Sequence, residues 1–269
     1  MEPILKVENL VKRYAKRNLV GPPQEFLALD GVSFAVFSRS TLAIVGESGS
    51  GKSTLASCIA CLELPTSGNL WFEGKNLAQS PESELRNIRP QIQLIFPDPA
   101  SSLHPGWSIL DIVAEPLILQ HKLGRKEREL RACSLLERVG LSAEIAARSA
   151  STLSGGQRQR LAIARALTLD PKILILDEAL SALDCSTQAQ IANLLLELQS
   201  FLGMTFLFIT HDLTMAAHLA DEIAVMSAGR IVELGPSAEV LRNPSHEATR
   251  QLIAAVPQLP RSSWPAIQQ

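Results

Sequence analysis

Short unbroken apolar runs alternate along this chain with segments whose apolar positions recur every three or four residues. Thr41 to Val45, Ile173 to Leu176 and Phe206 to Ile209 are continuous apolar runs of strand length. Such runs are read as strands buried on both faces. Leu55 to Ala60, Gly155 to Thr168, Gln188 to Leu202 and the segment through Leu219 follow the helical period, the last opened by Asp212 as a cap. Buried strands alternating with helices predict an α/β fold. Nearer the N-terminus, Ile4 to Val7 alternate like an edge strand, Leu27 to Val36 are read as a strand pair, and Asn69 to Glu73 as a short strand. Between the first two lie Lys12 to Arg17 and the Gly21 to Pro23 turn, read together as an exposed polar loop. Ile92 to Phe96 is a further strand, stopped by Pro97-Asp98-Pro99. From Ser108 to about Val139 the period turns helical, with Arg125 to Glu129 as a solvated charged face. Ile223 to Met226 and Arg230 to Glu233 predict a closing hairpin, and the Pro- and Gln-rich tail after Pro257 predicts fraying.

Length changes this picture little: 269 residues suit one large α/β domain with a helical insertion over about 97–165 and a frayed end at 258–269. Charge and aromatics narrow the partners. A net charge of −2 gives no electrostatic case for nucleic acid, and 4% aromatics leave few stacking platforms for single strands. Met1 to Lys6 lacks the basic-then-apolar order of a signal peptide, and no apolar stretch reaches membrane-spanning length. The expectation is a cytoplasmic protein that meets a membrane through a partner. Cys58 and Cys61 form C-x-x-C within the helical segment after residue 52, with no second pair nearby. They are read as core-facing thiols in a reducing compartment rather than a metal or redox site.

The chemistry centres on Gly46, Glu47, Ser48, Gly49, Ser50, Gly51, Lys52, Ser53 and Thr54. This stretch matches G-x-x-x-x-G-K-[ST] and sits between a predicted strand and a predicted helix, the context a phosphate-binding loop requires. Gly49 and Gly51 free the backbone to turn its N–H groups toward one phosphate, and the helix start adds the positive end of its dipole. Lys52 supplies a point charge for the β- and γ-phosphates, and the Ser53 hydroxyl can ligate Mg²⁺. Together these residues predict binding of a nucleoside triphosphate.

Two further motifs extend the site. Ile173-Leu-Ile-Leu runs into Asp177 and Glu178, acids at the carboxyl end of a buried strand, where ligands of α/β sheets bind. Asp177 is expected to hold Mg²⁺, directly or through water, and Glu178 to polarise the attacking water. Ser154, Gly155, Gly156 and Gln157 open a helix and build a second anion site of backbone N–H groups. One triphosphate needs only one such loop, so the second is expected to serve the nucleotide of another subunit.

The pairing of GESGSGKST with LSGGQ and ILILDE resembles an ABC-transporter ATPase subunit. Further matches carry the resemblance over residues 4 to about 257. Tyr14 stands where the family's aromatic residue stacks on adenine, and Ser181 to Asp184 resembles the loop that crosses the dimer seam. His211 resembles the switch histidine at the γ-phosphate, and Ile92 to Pro105 the loop linking nucleotide to permease. Gly229 to Pro236, Asn243 to His246 and Ala254 to Pro257 resemble the oligopeptide, dipeptide and nickel importer branch. The resemblance implies a P-loop NTPase core with an antiparallel β subdomain and a helical signature subdomain. It implies ATP and Mg²⁺ as ligands, with Glu178, His211 and Lys52 catalytic. Ser154 to Gln157 would act on the ATP of a second, related ATPase subunit or of an identical copy, with Ser181 and Asp184 at the seam. It also implies two membrane permeases as partners, a solute-binding protein indirectly, and a place on the cytoplasmic face of the membrane.

Two departures from the branch stand out. Phe96-Pro97-Asp98-Pro99 replaces Phe-Gln-Asp-Pro, and proline cannot supply the glutamine's reach toward metal and water. Slower or less tightly coupled hydrolysis at this chain's own site is therefore expected, since Gln93 lies too far along the strand to substitute. Ser38-Arg39-Ser40 stands where the branch has a Gly-Glu turn. The cysteines with which some relatives bind an iron–sulfur cluster in the tail are absent from the sequence, so no such cluster is expected. Two rivals remain at this point: a soluble ABC ATPase acting on nucleic acid or ribosomes, and a partner subunit that binds ATP with weak hydrolysis.

Overall fold

The computed structural model describes residues 2–16, 24–98, 102–120 and 123–256. The Gly21 to Pro23 turn, Pro99 and the tail from Pro257 lie outside them. In chain order the strands are β1 (Leu5–Lys16), β2 (Gln24–Val36), β3 (Thr41–Val45), β4 (Ser67–Phe72), β5 (Lys75–Asn76), β6 (Ile92–Ile95), β7 (Ile173–Asp177), β8 (Thr205–Thr210), β9 (Glu222–Ser227) and β10 (Arg230–Pro236). The α-helices are α1 (Lys52–Ile59), α2 (Glu82–Ile88), α3 (Ile109–Gln120), α4 (Arg125–Arg138), α5 (Gly155–Leu167), α6 (Cys185–Leu202), α7 (Leu213–Leu219), α8 (Ser237–Arg242) and α9 (Glu247–Ala255). The chain divides into two compact units, one formed by residues up to Arg86 and from Thr205 onward, the other by Asn87–Met204.

In the first unit β2, β1, β4 and β5 form an antiparallel sheet in that order. Three expectations are corrected here. β1 lies between β2 and β4 rather than at an edge, and it continues through Lys16, across the segment expected to be a loop. Residues 24–36 form one strand, not a pair. The cause is irregular register. Asn9 takes φ +49° and the pairing slips between Val7 and Leu10. A bulge of this kind breaks the two-residue alternation without ending the strand, so the sequence pattern stops before the structure does.

The same unit carries β3 between β8 and β9, parallel to both, with β10 returning antiparallel to β9. All of β3 and β8 are buried, which is why both are continuous apolar runs rather than alternating ones. Asp212 caps α7 as expected, accepting from the amides of Thr214 (2.8 Å) and Met215 (3.2 Å). The Glu233 carboxylate anchors the start of α9, accepting from the Ser245 and His246 amides at 2.8 and 3.0 Å and from the Thr249 hydroxyl.

In the second unit β6 runs parallel to β7, Ile92 opposite Ile173 and Ile95 opposite Leu176. The helical segment from residue 108 is two helices. α3 and α4 pack with α5 around Ile109, Val113, Leu136, Leu161 and Ile163. Polar ties lock this packing: Arg165 Nη2 meets Glu115 Oε2 at 2.8 Å, and the buried Thr168 hydroxyl donates at 3.0 Å, with the Val113 and Ala164 carbonyls both in reach. Among the described residues no helix is long and apolar enough to cross a membrane.

Candidate functional site

The phosphate loop leaves β3 at Val45, and two of its glycines are dictated by close approach. A Cβ on Gly46 would stand 2.1 Å from the Met226 carbonyl oxygen. Gly51 combines φ +104° with a Cβ position 2.4 Å from the Ala28 carbonyl oxygen. Either contact is far inside van der Waals distance, so a side chain would displace the loop. Gly49 is at φ +80°, a turn that glycine makes without strain.

Gly51 is the N-cap of α1 and has no side chain with which to cap the backbone N–H groups of the first turn. Lys52 is only 5% exposed, and its Nζ donates to the Gly46 and Glu47 carbonyls, both at 2.8 Å. The amine is thereby held inside the loop that it follows. Glu47, Ser48 and Gly49 are exposed along the rim, as is Ser53, while Thr54 is half-buried. Ser50 is buried, and its amide and carbonyl hold the turn through Glu47 O (3.2 Å) and Gly229 N (3.0 Å). Backbone and one ammonium group are the parts that an anion cradle requires.

Tyr14 lies near the end of β1 opposite Phe26, and its hydroxyl donates to Glu63 Oε2 at 2.6 Å. His211 follows β8 directly and is exposed, one residue before the Asp212 cap. Cys58 and Cys61 are both buried, matching the core-facing expectation, although Cys61 sits past the end of α1. Burial pushes the Cys58 thiol up to about 11, so it is a neutral packing group at ordinary pH.

The second unit carries Asp177, Glu178 and the Ser154 to Gln157 loop. Asp177 is the last residue of β7 and is buried. Glu178 takes φ +46°, a left-handed conformation that a residue with a side chain adopts only when its surroundings hold it there. Ser154 caps α5 in a reciprocal box: its Oγ accepts from the Gln157 amide (3.3 Å), and Gln157 Oε1 accepts from the Ser154 amide (3.0 Å). Gly155 and Gly156 follow in the first turn. A Cβ on Gly156 would stand 2.5 Å from Thr187 Cγ2, so the loop packs directly against the start of α6.

Asp184, expected only as a seam residue, is the N-cap of α6. It accepts from the Thr187 amide (2.9 Å) and the Thr187 hydroxyl (2.7 Å), bonds that hold its carboxyl below the usual range. Ser181 is exposed, and both its amide and its hydroxyl donate to the Glu178 carbonyl.

The same unit contains a cavity of about 220 Å³ beside β6, α3 and α5. Ile95, Phe96, Leu119 and Ala166 give it apolar walls, with the Glu115–Arg165 pair in the lining. Gln93, which also lines it, donates to the Arg89 carbonyl at 2.7 Å and is thus committed to its own turn. Sequence reasoning missed Glu63, Lys12 and Thr187. Glu63 meets Tyr14 only through the fold, whereas Lys12 and Thr187 are local neighbours of Tyr14 and Asp184 inside segments read for other roles.

Comparison with known proteins gives this chain its family. The ABC transporter family model matches residues 29–181. The dipeptide transport ATP-binding protein DppF of Haemophilus influenzae is 46% identical over 96% of this chain and 79% of its own length. The oligopeptide transport ATP-binding protein OppD of Mycobacterium tuberculosis is 48% identical over 95% of this chain but only 42% of its own, longer length. Among solved structures, a dimeric ATP-binding cassette in a post-hydrolysis state with ADP and Pi superposes with a TM-score of 0.77 at 32% identity, covering 87% of this chain and 98% of that one. The chain belongs to the ABC transporter family. It has the ABC ATPase fold, binds ATP and is an ATPase.

Proposed function

We propose that this chain is the ATP-hydrolysing subunit of an importer for peptides or a related small solute such as nickel. The observation that carries this reading is the similarity to a dipeptide transport ATP-binding protein along 96% of the chain, far beyond the nucleotide motifs alone. Lys52 and the α1 amides bind the phosphates, and Tyr14 stacks on the adenine. Glu178 draws the proton from the attacking water, and His211 senses the γ-phosphate.

Ser53 and Asp177 each offer a hard oxygen donor of the kind Mg²⁺ takes. That donor set fits Mg²⁺, which is held by few protein oxygens and completed by phosphates, and which neutralises phosphate charge when bound.

Ser154 to Gln157 act on the ATP of a second ATPase subunit, related or identical, with Ser181 and Asp184 at the seam. The whole of residues 1–257 works as one ATPase domain. Two permeases at the cytoplasmic face of the membrane are the other partners, with a solute-binding protein acting through them. The cavity beside Phe96 and Leu119 suits an apolar permease segment, and it adjoins the β6 segment that leads into Pro97.

The test is uptake of a labelled dipeptide and of nickel by cells lacking this chain, complemented with wild type or Glu178→Gln. Uptake of one solute restored by wild type and not by the variant supports the reading. Uptake of both at full rate without the chain contradicts it.

A further inference from the structure

Two parts of the first unit, the end of β1 and the turn that follows α1, meet at Tyr14. Its hydroxyl donates to Glu63 Oε2 at 2.6 Å, and Lys12 Nζ lies 3.1 Å from the same oxygen. Lys12 is itself largely covered, with a side-chain exposure of 15%. It also reaches the Leu64 carbonyl at 2.7 Å and stands 5.1 Å from the centre of the Tyr14 ring. The Tyr14 ring is therefore fixed at its hydroxyl end by a charged acceptor and flanked by a cation, while 36% of the residue remains exposed.

The fixing point belongs to the phosphate-loop side of the fold. Glu63 follows α1 by four residues, and Thr54, on α1 itself, faces the same hydroxyl. Burial and the Glu63 carboxylate push the Tyr14 phenol above its ordinary value, while the Tyr14 and Lys12 hydrogen bonds hold the Glu63 carboxyl below its own. The phenol therefore stays a donor and the carboxylate an acceptor across the neutral range. A hydrogen bond to a charged acceptor is stronger than one between neutral groups, and a partly covered one is less screened by water.

Stacking on a base requires a ring whose plane is set before the base arrives, since ordering it afterwards subtracts from affinity. A tyrosine at the margin of a sheet, with an exposed face, does not get that order from packing. We infer that Glu63, held in turn by Lys12, is the positioning residue that presets the Tyr14 ring for adenine, so that the base-binding surface is registered to the phosphate loop through α1. This inference rests on the reading of Tyr14 as the adenine platform, which its test examines separately.

The test measures dissociation constants of the full chain for ATP and for inorganic tripolyphosphate, which has phosphates and no base. Tyr14→Ala is expected to weaken ATP by about tenfold, within the range of aromatic–base stacking, and to leave tripolyphosphate unchanged. Glu63→Ala and Tyr14→Phe are each expected to weaken ATP by about three- to fivefold, the cost of ordering one side chain on binding, again sparing tripolyphosphate. The double variant Tyr14→Phe, Glu63→Ala is expected to match either single one, because both remove the same bond. Glu63→Gln, which keeps an acceptor, is expected to retain most of the affinity. If Tyr14→Ala weakens ATP while Glu63→Ala and Tyr14→Phe do not, Tyr14 is the platform and the positioning role of Glu63 is overturned. Equal losses for ATP and tripolyphosphate in Glu63→Ala would place its effect on the loop and overturn it too. If Tyr14→Ala changes nothing, the platform reading falls and the inference falls with it.

Discussion

Ser181 donates twice to the carbonyl oxygen of Glu178, from its amide at 3.1 Å and its hydroxyl at 2.8 Å. Glu178 is the residue at φ +46°, directly after the buried Asp177. The turn that holds the proposed base in a costly conformation is thus closed by the first residue of the proposed seam loop. The proposed base and the proposed seam loop share one turn.

Glu178→Gln keeps this turn and removes the proton acceptor, so it is expected to bind ATP normally and hydrolyse it roughly a hundredfold more slowly. Ser181→Ala removes one of the two bonds, worth about 1 kcal/mol, and is expected to lower kcat several-fold with unchanged ATP affinity. Steady-state ATPase assays beside equilibrium ATP binding check both. Normal turnover in Glu178→Gln would move the general base elsewhere.

The 2.5 Å between a Gly156 Cβ and Thr187 Cγ2 gives a paired prediction. Thr187 cannot simply rotate away, because its hydroxyl and amide both bind Asp184. Gly156→Ala is expected to lower ATPase by tenfold or more and stability by about 1–3 kcal/mol, the range for overpacking. Thr187→Ser removes the clashing methyl and keeps the hydroxyl, so the double variant is expected to recover most of both. Thermal unfolding and ATPase rates measure the recovery, and a double variant as poor as Gly156→Ala would disconnect the two residues.

Pro97 offers no side-chain donor or acceptor, and the glutamine nearest to it in sequence, Gln93, donates to the Arg89 carbonyl. Pro97→Gln is expected to raise ATP turnover, or the solute carried per ATP, by several-fold. Turnover and transport that both stay at the wild-type level would show that Pro97 costs this chain nothing.

The Glu233 anchor of α9 is expected to be acid-labile. Burial alone would raise its carboxyl, but the Ser245 amide, the Thr249 hydroxyl and the His246 amide outweigh burial and hold it below its ordinary value. A carboxylate depressed in the folded state adds stability above its unfolded value and loses it as pH falls through the folded one. Amides of residues 248–255 are therefore expected to exchange faster at pH 3 than at pH 6, after correction for intrinsic rates, and Glu233→Gln to exchange fast at both. Protection that does not change between the two pH values would remove Glu233 from this role.

The sequence made the nucleotide chemistry legible because that chemistry depends on contiguous residues. A loop whose backbone binds phosphate must carry glycines at fixed spacing, and a doubly buried strand must be an apolar run. Asp212 as a cap and the hairpin at residues 222–236 were readable for the same local reason. The N-terminal sheet was not, because the bulge at Asn9 broke the alternation that marks a strand. The capping role of Asp184, the Gly156–Thr187 contact and the Glu63–Tyr14 bond also escaped notice. The first is a local bond inside a segment read for another role, and the other two join residues 31 and 49 positions apart.

The most direct test of the account is to tag this chain, extract native membranes gently and identify what co-purifies. Two permease subunits and a second ATPase subunit in stoichiometric amounts are the predicted result, and the solute-binding protein encoded for the same complex would then narrow the solute. Recovery of the chain alone in the soluble fraction, or bound to ribosomes, would contradict its role as a transporter subunit.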